Sequence, residues 1–443
     1  MQLTRFHVLV EDFPREGEHV LYNTLSDQQV GLDESALAWI RTLSGSSSEG
    51  TSPIEKEEID WLRAERFLVE DELEDDAGFA KFMRGTRDGD GTLLLTLMVS
   101  RTCNMACPYC FEGTGPVGPG IGRRVEAGIH EWVKRYMDRH GLERLFVQYF
   151  GGEPLLRKRF ILRTAGRFAE DMESSGRDFG CSIITNGLLL DRSFAERMVA
   201  LGLKNVKVTL DGDQDVHDRW RVRRNGSGTF DKILGNLKEV AGVVPLRVGA
   251  NVRPGHELEY EDLIDRLDCE GLAPAVAELY FKPVLDAGGA PSSGRSFSDA
   301  NLGALLQLNK QARRSGMGQP AGFPLGPCGL HMAHYLSVDH DGKIYKCEAT
   351  MDDPRMAVGS IDAEVIDPLG VPQIAAVDPA AECGDCAYLP ACAGGCRAVT
   401  WGHEGLLGVN CERAFFETVG TENIKQRYLD EHYGGSMPSK AAA

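Results

Sequence analysis

Thr92-Leu-Leu-Leu-Thr-Leu-Met-Val-Ser-Arg-Thr-Cys103-Asn-Met-Ala-Cys107-Pro-Tyr-Cys110 is the stretch on which the reading of this chain rests. The apolar run Thr92–Val99 has the length and composition of a buried strand. It delivers three cysteines, spaced Cys-x3-Cys-x2-Cys, to one short loop at its carboxyl end. Three thiolates on such a loop can ligate three irons of a [4Fe–4S] cube, leaving the fourth iron open to substrate or cofactor. Zinc is the competing occupant, but a structural zinc site wants four protein ligands, usually in Cys-x2-Cys pairs.

Strand-like runs recur downstream at Leu145–Phe150, Cys181–Thr185, Val206–Leu210, Leu246–Val252 and Glu278–Pro283. Between them lie stretches with helical spacing: Arg123–Arg139, Phe160–Glu173, Asp191–Leu201, Phe230–Val240 and Tyr260–Leu267. Strands alternating with helices predict an α/β fold, a parallel (β/α)6 TIM-like partial barrel over residues 90–287, open on one side. Functional residues of such a fold belong at the carboxyl ends of its strands.

A small unit of residues 1–85 precedes the barrel. Phe6–Val10 and Val20–Asn23 alternate as strands, with a third at Gln28–Leu32, and Glu34–Leu43 has helical spacing. After a Ser/Gly stretch at 44–52, Ser52-Pro53-Ile54-Glu55 predicts a helix starting at Pro53. The acidic run Glu70–Asp76 reads as a solvated loop or helix start. The order of three strands, then helices, is winged-helix-like. Beyond a Gly/Pro/Ser linker at 288–297, residues 298–430 form a loop-rich domain with seven cysteines, and the final ten residues read as a disordered tail.

The 443 residues carry 48 Lys+Arg against 66 Asp+Glu, a formal charge of −18, which disfavours phosphate backbones and anionic membranes as partners. No apolar run is long enough to span a bilayer, and Glu11 and Asp12 interrupt any signal-peptide core, so the expected location is the cytoplasm. In that reducing compartment the twelve cysteines read as metal ligands or catalysts rather than disulfides. Cys181 and Cys269, inside the βα repeats, read as buried small apolar residues.

Cys103, Cys107 and Cys110, with Tyr109 in the last gap, resemble the signature of radical S-adenosylmethionine (SAM) enzymes. Gly151-Gly152-Glu153-Pro154 matches that family's GGEP segment, and Thr185-Asn186-Gly187 follows the third strand. Thr209-Leu210-Asp211-Gly212, His217-Asp218-x-x-Arg221 and Gly228-Thr229-Phe230 continue the likeness. The resemblance implies that Gly151, Gly152 and Glu153 meet the SAM amino group, with a carboxylate free to pair with an ammonium. It implies that Thr209 and Arg221 hold the ribose and carboxylate, with Tyr109, Thr185, Asn186 and Asn251 completing the cofactor site. His217 reads as structural.

The C-terminal cysteines have their own spacing: Cys328-x13-Gly342-x4-Cys347, then Cys383-x2-Cys386-x5-Cys392-x3-Cys396, then Cys411. By residue type alone this means one or two four-ligand metal sites, a zinc ribbon over 383–396 included. The spacing is similar to the SPASM domain of peptide-modifying radical SAM enzymes. That likeness implies two auxiliary [4Fe–4S] clusters, three in all with the first. Cys383, Cys386, Cys392 and Cys411 would hold the outer one, and Cys328, Cys347 and Cys396 the inner one. Residues 329–346 lack the additional cysteine of anaerobic sulfatase maturases, which leaves the inner cluster with an open iron or a non-cysteine ligand. Glu348, beside Cys347, is the candidate catalytic acid–base residue, with Glu112 a second candidate.

Taken together, the resemblance implies a maturase of a ribosomally made precursor peptide, forming a thioether or carbon–carbon crosslink through a 5′-deoxyadenosyl radical. The N-terminal unit resembles a leader-peptide recognition element, and a low-potential donor such as flavodoxin or ferredoxin would supply electrons. The alternatives are a sulfatase-type maturase making formylglycine and a non-catalytic metal-binding protein that captures peptides.

Overall fold

A computed structural model describes residues 1–43, 53–110, 120–253, 255–283, 299–318, 326–351, 353–363, 378–404 and 408–434. The two expected linkers, most of the expected tail and Glu112 lie outside these residues.

The N-terminal unit opens on β1 (Gln2–Leu3), β2 (His7–Val10), β3 (Glu18–Asn23) and β4 (Gln28–Asp33). Strands β2, β3 and β4 form an antiparallel sheet in sequence order. Helix α1 (Glu34–Leu43) follows, then α2 (Lys56–Ala64), β5 (Leu68–Val69) and α3 (Glu72–Asp88). Helix α2 begins three residues later than expected, because Glu58 accepts from the Glu55 backbone N–H (3.0 Å) and sets the first turn there. The acidic run does start a helix, capped by Asp71. One member is not solvated: Asp75 is buried and accepts from Thr4 Oγ1 (2.6 Å) and the Arg5 N–H (2.8 Å), tying α3 to the start of the chain. Strand β5 pairs with β1, a two-residue ladder too short to leave a periodic signal.

Six parallel strands follow in sequence order: β6 (Thr92–Ser100), β7 (Arg144–Gly151), β8 (Asp178–Thr185), β9 (Leu203–Thr209), β10 (Leu246–Val252) and β11 (Val276–Pro283). Their outer faces carry Leu95, Val147, Ile183, Val206, Val248 and Leu279, all buried beneath helices. The covering helices are α4 (Arg123–His140), α5 (Lys158–Ser174), α6 (Arg192–Ala200), α7 (Gln214–Trp220), α8 (Phe230–Val240) and α9 (Glu261–Cys269). Trp132, Ile161, Phe168, Ile233 and Leu263 supply their apolar stripes, each worth about 1.5–3 kcal/mol when buried. Cys181 is buried in this core, but Cys269 is exposed at the end of α9, where the helix leaves the sheet.

The core does not stop at the end of β11. Helix α10 (Asp299–Arg314) adds Leu305, Leu308 and Ala312 to the same apolar cluster. Strand β12 (Tyr335–Val338) then pairs parallel to β6, and β13 (Lys343–Tyr345) and β14 (Ala357–Ser360) extend the sheet antiparallel. The result is one nine-stranded sheet in which β6 is an interior strand. The cysteine-rich remainder ends in a helix, Thr421–Tyr433. Its Tyr388, Phe416, Ile424 and Leu429 pack against Val8, Val10, Val20 and Tyr22, so the N-terminal sheet is docked on this region while Leu21 and Leu32 face α1. Among the described residues, no helix is long and apolar enough to cross a membrane.

Candidate active site

Strand β6 hands the chain to the cysteine loop, which is pinned from across the barrel mouth. The Ala106 N–H donates to the Val222 carbonyl (2.8 Å), and Arg224 Nε donates to the Cys103 carbonyl (3.0 Å). Burial, with Glu153 and the other two thiols nearby, pushes the Cys103 thiol up to about 11.

The glycines of the second loop let its backbone approach the cysteine loop closely. Their missing side chains face the cysteine loop, not an open ligand space. A Cβ on Gly151, whose φ is +128°, would lie 2.4 Å from the Ser100 carbonyl oxygen, and one on Gly152 2.7 Å from that of Thr102. Backbone bonds from Gly152 to Ser100 and from Glu153 to Thr102 (both 2.9 Å) fix that approach. Glu153 is fully buried and already accepts from the Leu155 N–H (2.8 Å), Thr185 Oγ1 (2.6 Å) and the Asn186 N–H (2.7 Å). Its carboxylate braces the ends of β7 and β8 rather than standing free for an ammonium. Asn186 reaches the cysteine loop itself, donating to Asn104 Oδ1 (2.7 Å) and Cys103 Sγ (3.7 Å).

At the ends of β9 and β10 the structure assembles a second group. Asp211 accepts from the Asn251 N–H (2.8 Å), Asn251 Nδ2 (3.1 Å) and the Tyr109 hydroxyl. Arg221 donates to the Tyr109 oxygen (2.6 Å) and lies 3.6 Å from Asp211. Burial alone would lower the Arg221 pKa, but Tyr109, Cys107 and Asp211 outweigh it and keep the guanidinium charged. Its Nε is buried with no hydrogen-bond partner among the described residues. Half-buried Thr209 closes β9 beside this group. The motif around it is scaffolding: His217 accepts the Asp211 N–H at Nδ1 (3.2 Å) and meets Thr229 Oγ1 at Nε2 (3.0 Å). Asp218 accepts from the Thr229 (2.7 Å) and Phe230 (2.9 Å) N–H groups, and Thr229 Oγ1 donates to the Arg221 carbonyl (2.6 Å). Sequence reasoning quoted Asp211 without assigning it; an acid at a strand end, facing a buried Arg, was the available signal.

The C-terminal thiols fall into two groups by the charges they feel. Burial pushes Cys347 up strongly, followed by Glu348, Cys328 and Cys396. Cys383 is raised by burial, then by Cys386, Glu382 and Cys411, and Cys392 by burial, Glu412 and Cys383. Glu348 begins a short turn after Cys347 and accepts from the Tyr335 hydroxyl (3.3 Å).

The family model described as the radical SAM superfamily matches residues 97–267. This chain carries a radical SAM domain. Members of this family bind SAM and a [4Fe–4S] cluster. The residues of the radical SAM domain fit that pair: three thiols on one loop, Cys107 buried and Cys103 and Cys110 half-buried, and beside them an Arg221 nitrogen lacking the anionic acceptor that a SAM carboxylate would provide. A probable GTP 3′,8-cyclase of Methanocella arvoryzae is 30% identical over 200 residues, covering 43% of this chain and 59% of the relative. The chain spans about half the length of the first curated relatives it matches. The mycofactocin maturase MftC of Mycobacterium tuberculosis is 23% identical over 354 residues, covering 72% of this chain and 81% of that protein. Anaerobic sulfatase-maturating enzymes are further relatives. Among solved structures, Streptococcus suis SuiB has the same fold, with a TM-score of 0.52 at 15% identity over 94% of this chain and 99% of SuiB.

Proposed function

We propose that this chain is a maturase that installs a thioether or carbon–carbon crosslink in a ribosomally made precursor peptide. One observation carries the reading: beyond the radical SAM domain, Cys347 feels Glu348, Cys328 and Cys396, while Cys383 feels Cys386 and Cys411, and Cys392 feels Cys383. Two further [4Fe–4S] clusters suit that division, three per chain in all. MftC and SkfB among the relatives are named for maturation, and SuiB has been solved with the precursor peptide SuiA.

Cys103, Cys107 and Cys110 would hold the first cluster, and Arg221, Asn251, Tyr109 and Thr209 would orient SAM beside it. When bound, these groups would supply a 5′-deoxyadenosyl radical, and the auxiliary clusters a sink for one electron. Closing a crosslink after hydrogen abstraction also releases one proton, which Glu348, the acceptor of the Tyr335 hydroxyl, would take. The edges of the N-terminal sheet, β2 and β4, suit main-chain pairing with a leader peptide. The electron that starts the cycle would come from a flavodoxin or ferredoxin.

Formylglycine formation is the second reading, favoured by the sulfatase-maturating relatives. Anaerobic co-expression with the short open reading frames flanking the gene tests both. Loss of about two hydrogens per crosslink, with fragment ions joining two residues, is expected. A hydroxylamine-reactive carbonyl supports formylglycine instead, and unchanged peptides count against both.

A further inference from the structure

The concave face of the sheet carries a pair of donors that the chemistry above leaves unused. In the register of β9, β10 and β11, Lys207 stands beside Arg247 and Glu278, and one row up Thr209 stands beside Gly249 and Tyr280. Asn251 and Lys282 form the row above, next to Asp211. These side chains alternate with Val206, Val208, Val248, Leu279 and Phe281, which face the helices, so they point into the barrel.

Arg247 already has its counter-ion in Glu278. Lys207 has none within ion-pair distance among the described residues; its Nζ lies over the Tyr280 ring, 4.8 Å from the centroid. The Tyr280 hydroxyl is buried and has no hydrogen-bond partner among the described residues. Gly249 makes room for it, since a Cβ there would lie 2.4 Å from that oxygen. Burial, then Lys282 and Arg247, lowers the Lys207 pKa to about 8, while Glu278 and Glu348 raise it. An ammonium and a phenol that both lack an acceptor, side by side on the concave face of the sheet, match a ligand that brings two oxygens and a negative charge.

We propose that Lys207 and Tyr280 form a receptor for a substrate carboxylate, so that the residue presented to the radical lies beside an aspartate, a glutamate or the peptide's C-terminus. This assignment rests on the peptide-maturase reading. It places the recognised group between Asn251, which would contact SAM, on one side and Glu348 on the other.

The test is ligand-observed saturation-transfer NMR on the anaerobic, cluster-loaded full chain with saturating SAM. The probes are N-acetyl-glutamate α-amide, N-acetyl-glutamine α-amide, N-acetyl-alanine and inorganic phosphate. Saturable binding of the glutamate probe, at least fivefold weaker in Lys207→Met and in Tyr280→Phe but retained in Lys207→Arg, is expected, with the glutamine probe silent. A stronger response from N-acetyl-alanine assigns the site to a C-terminal carboxylate. Equal binding of the glutamate and glutamine probes, equal binding in Lys207→Met, phosphate binding as tightly, displacement by SAM, or no binding of any probe overturns the proposal. No chemistry is read, so failure here leaves the radical reading standing. Absence of reductive SAM cleavage would sink that reading independently.

Discussion

A full positive charge on Arg221, with its side chain 10% exposed, requires a counter-ion held in place, and Asp211 supplies it while binding Tyr109 and Asn251. Removing one partner of such a pair leaves an uncompensated buried charge. Asp211→Ala should therefore lower the unfolding free energy by about 3–5 kcal/mol, read as a lower urea midpoint for the anaerobic protein. A midpoint equal to wild type would show that the guanidinium is neutralised elsewhere. Lys207 allows a second expectation, with the sign fixed by linkage. Its pKa is lowered to about 8, with Lys282, Arg247, Glu278 and Glu348 the charged groups around it, so the free site is cationic below that pH and neutral above it. Affinity for a carboxylate probe should be flat from about pH 6 to 7 and fall up to about tenfold per unit above pH 8. An affinity that does not change from pH 7 to 9.5 would dissociate Lys207 from carboxylate binding.

Among the elements, the loop after β7 shows how a sequence signature can be legible while its cause is not. Gly151 and Gly152 stand where the motif predicts, but the reason they are glycines is the backbone of Ser100–Thr102. Gly152→Ala would push on carbonyl groups that cannot rotate away as a side chain can, and so displace the cysteine loop. With the three clusters proposed above, the expected result is loss of about a third of the bound iron, measured per chain after reconstitution. Unchanged iron would mean that the loop yields without losing its ligands. The barrel strands and helices were readable because each buries one apolar face, and β10 and α8 occur at the expected residues. What escaped reading lacks that signature. Strands β12 and β13 have only four and three residues and sit in a Gly- and Cys-rich stretch, and β1 and β5 have two each. Asp75 looks like its acidic neighbours until Thr4 and Arg5 are folded against it. The cysteine spacing was legible at once, being written in adjacent residues. The Lys207–Tyr280 pair was not, since its members come from two strands and meet only through sheet register.

Taken whole, the N-terminal unit is no detachable module. Val8, Val10, Val20 and Tyr22 cover Tyr388, Phe416 and Ile424, Thr24 Oγ1 donates to the Ala387 carbonyl (2.5 Å), and Cys386 and Cys392 line the same apolar cluster. Deleting residues 1–88 should expose this patch, and the shortened chain should self-associate in size-exclusion chromatography. A monodisperse monomer would show that the interface contributes little. The nine-stranded sheet carries a further consequence for synthesis. Tyr335 pairs with Leu94, partners separated by more than half the chain. During translation, β6 can acquire β7 early, but its other flank stays bare until β12 leaves the ribosome. For that interval, tens of seconds at about 5–20 residues per second, the strand that leads into Cys103, Cys107 and Cys110 has an open edge. The order of synthesis thus brings the first three cysteines out of the ribosome well before the last seven.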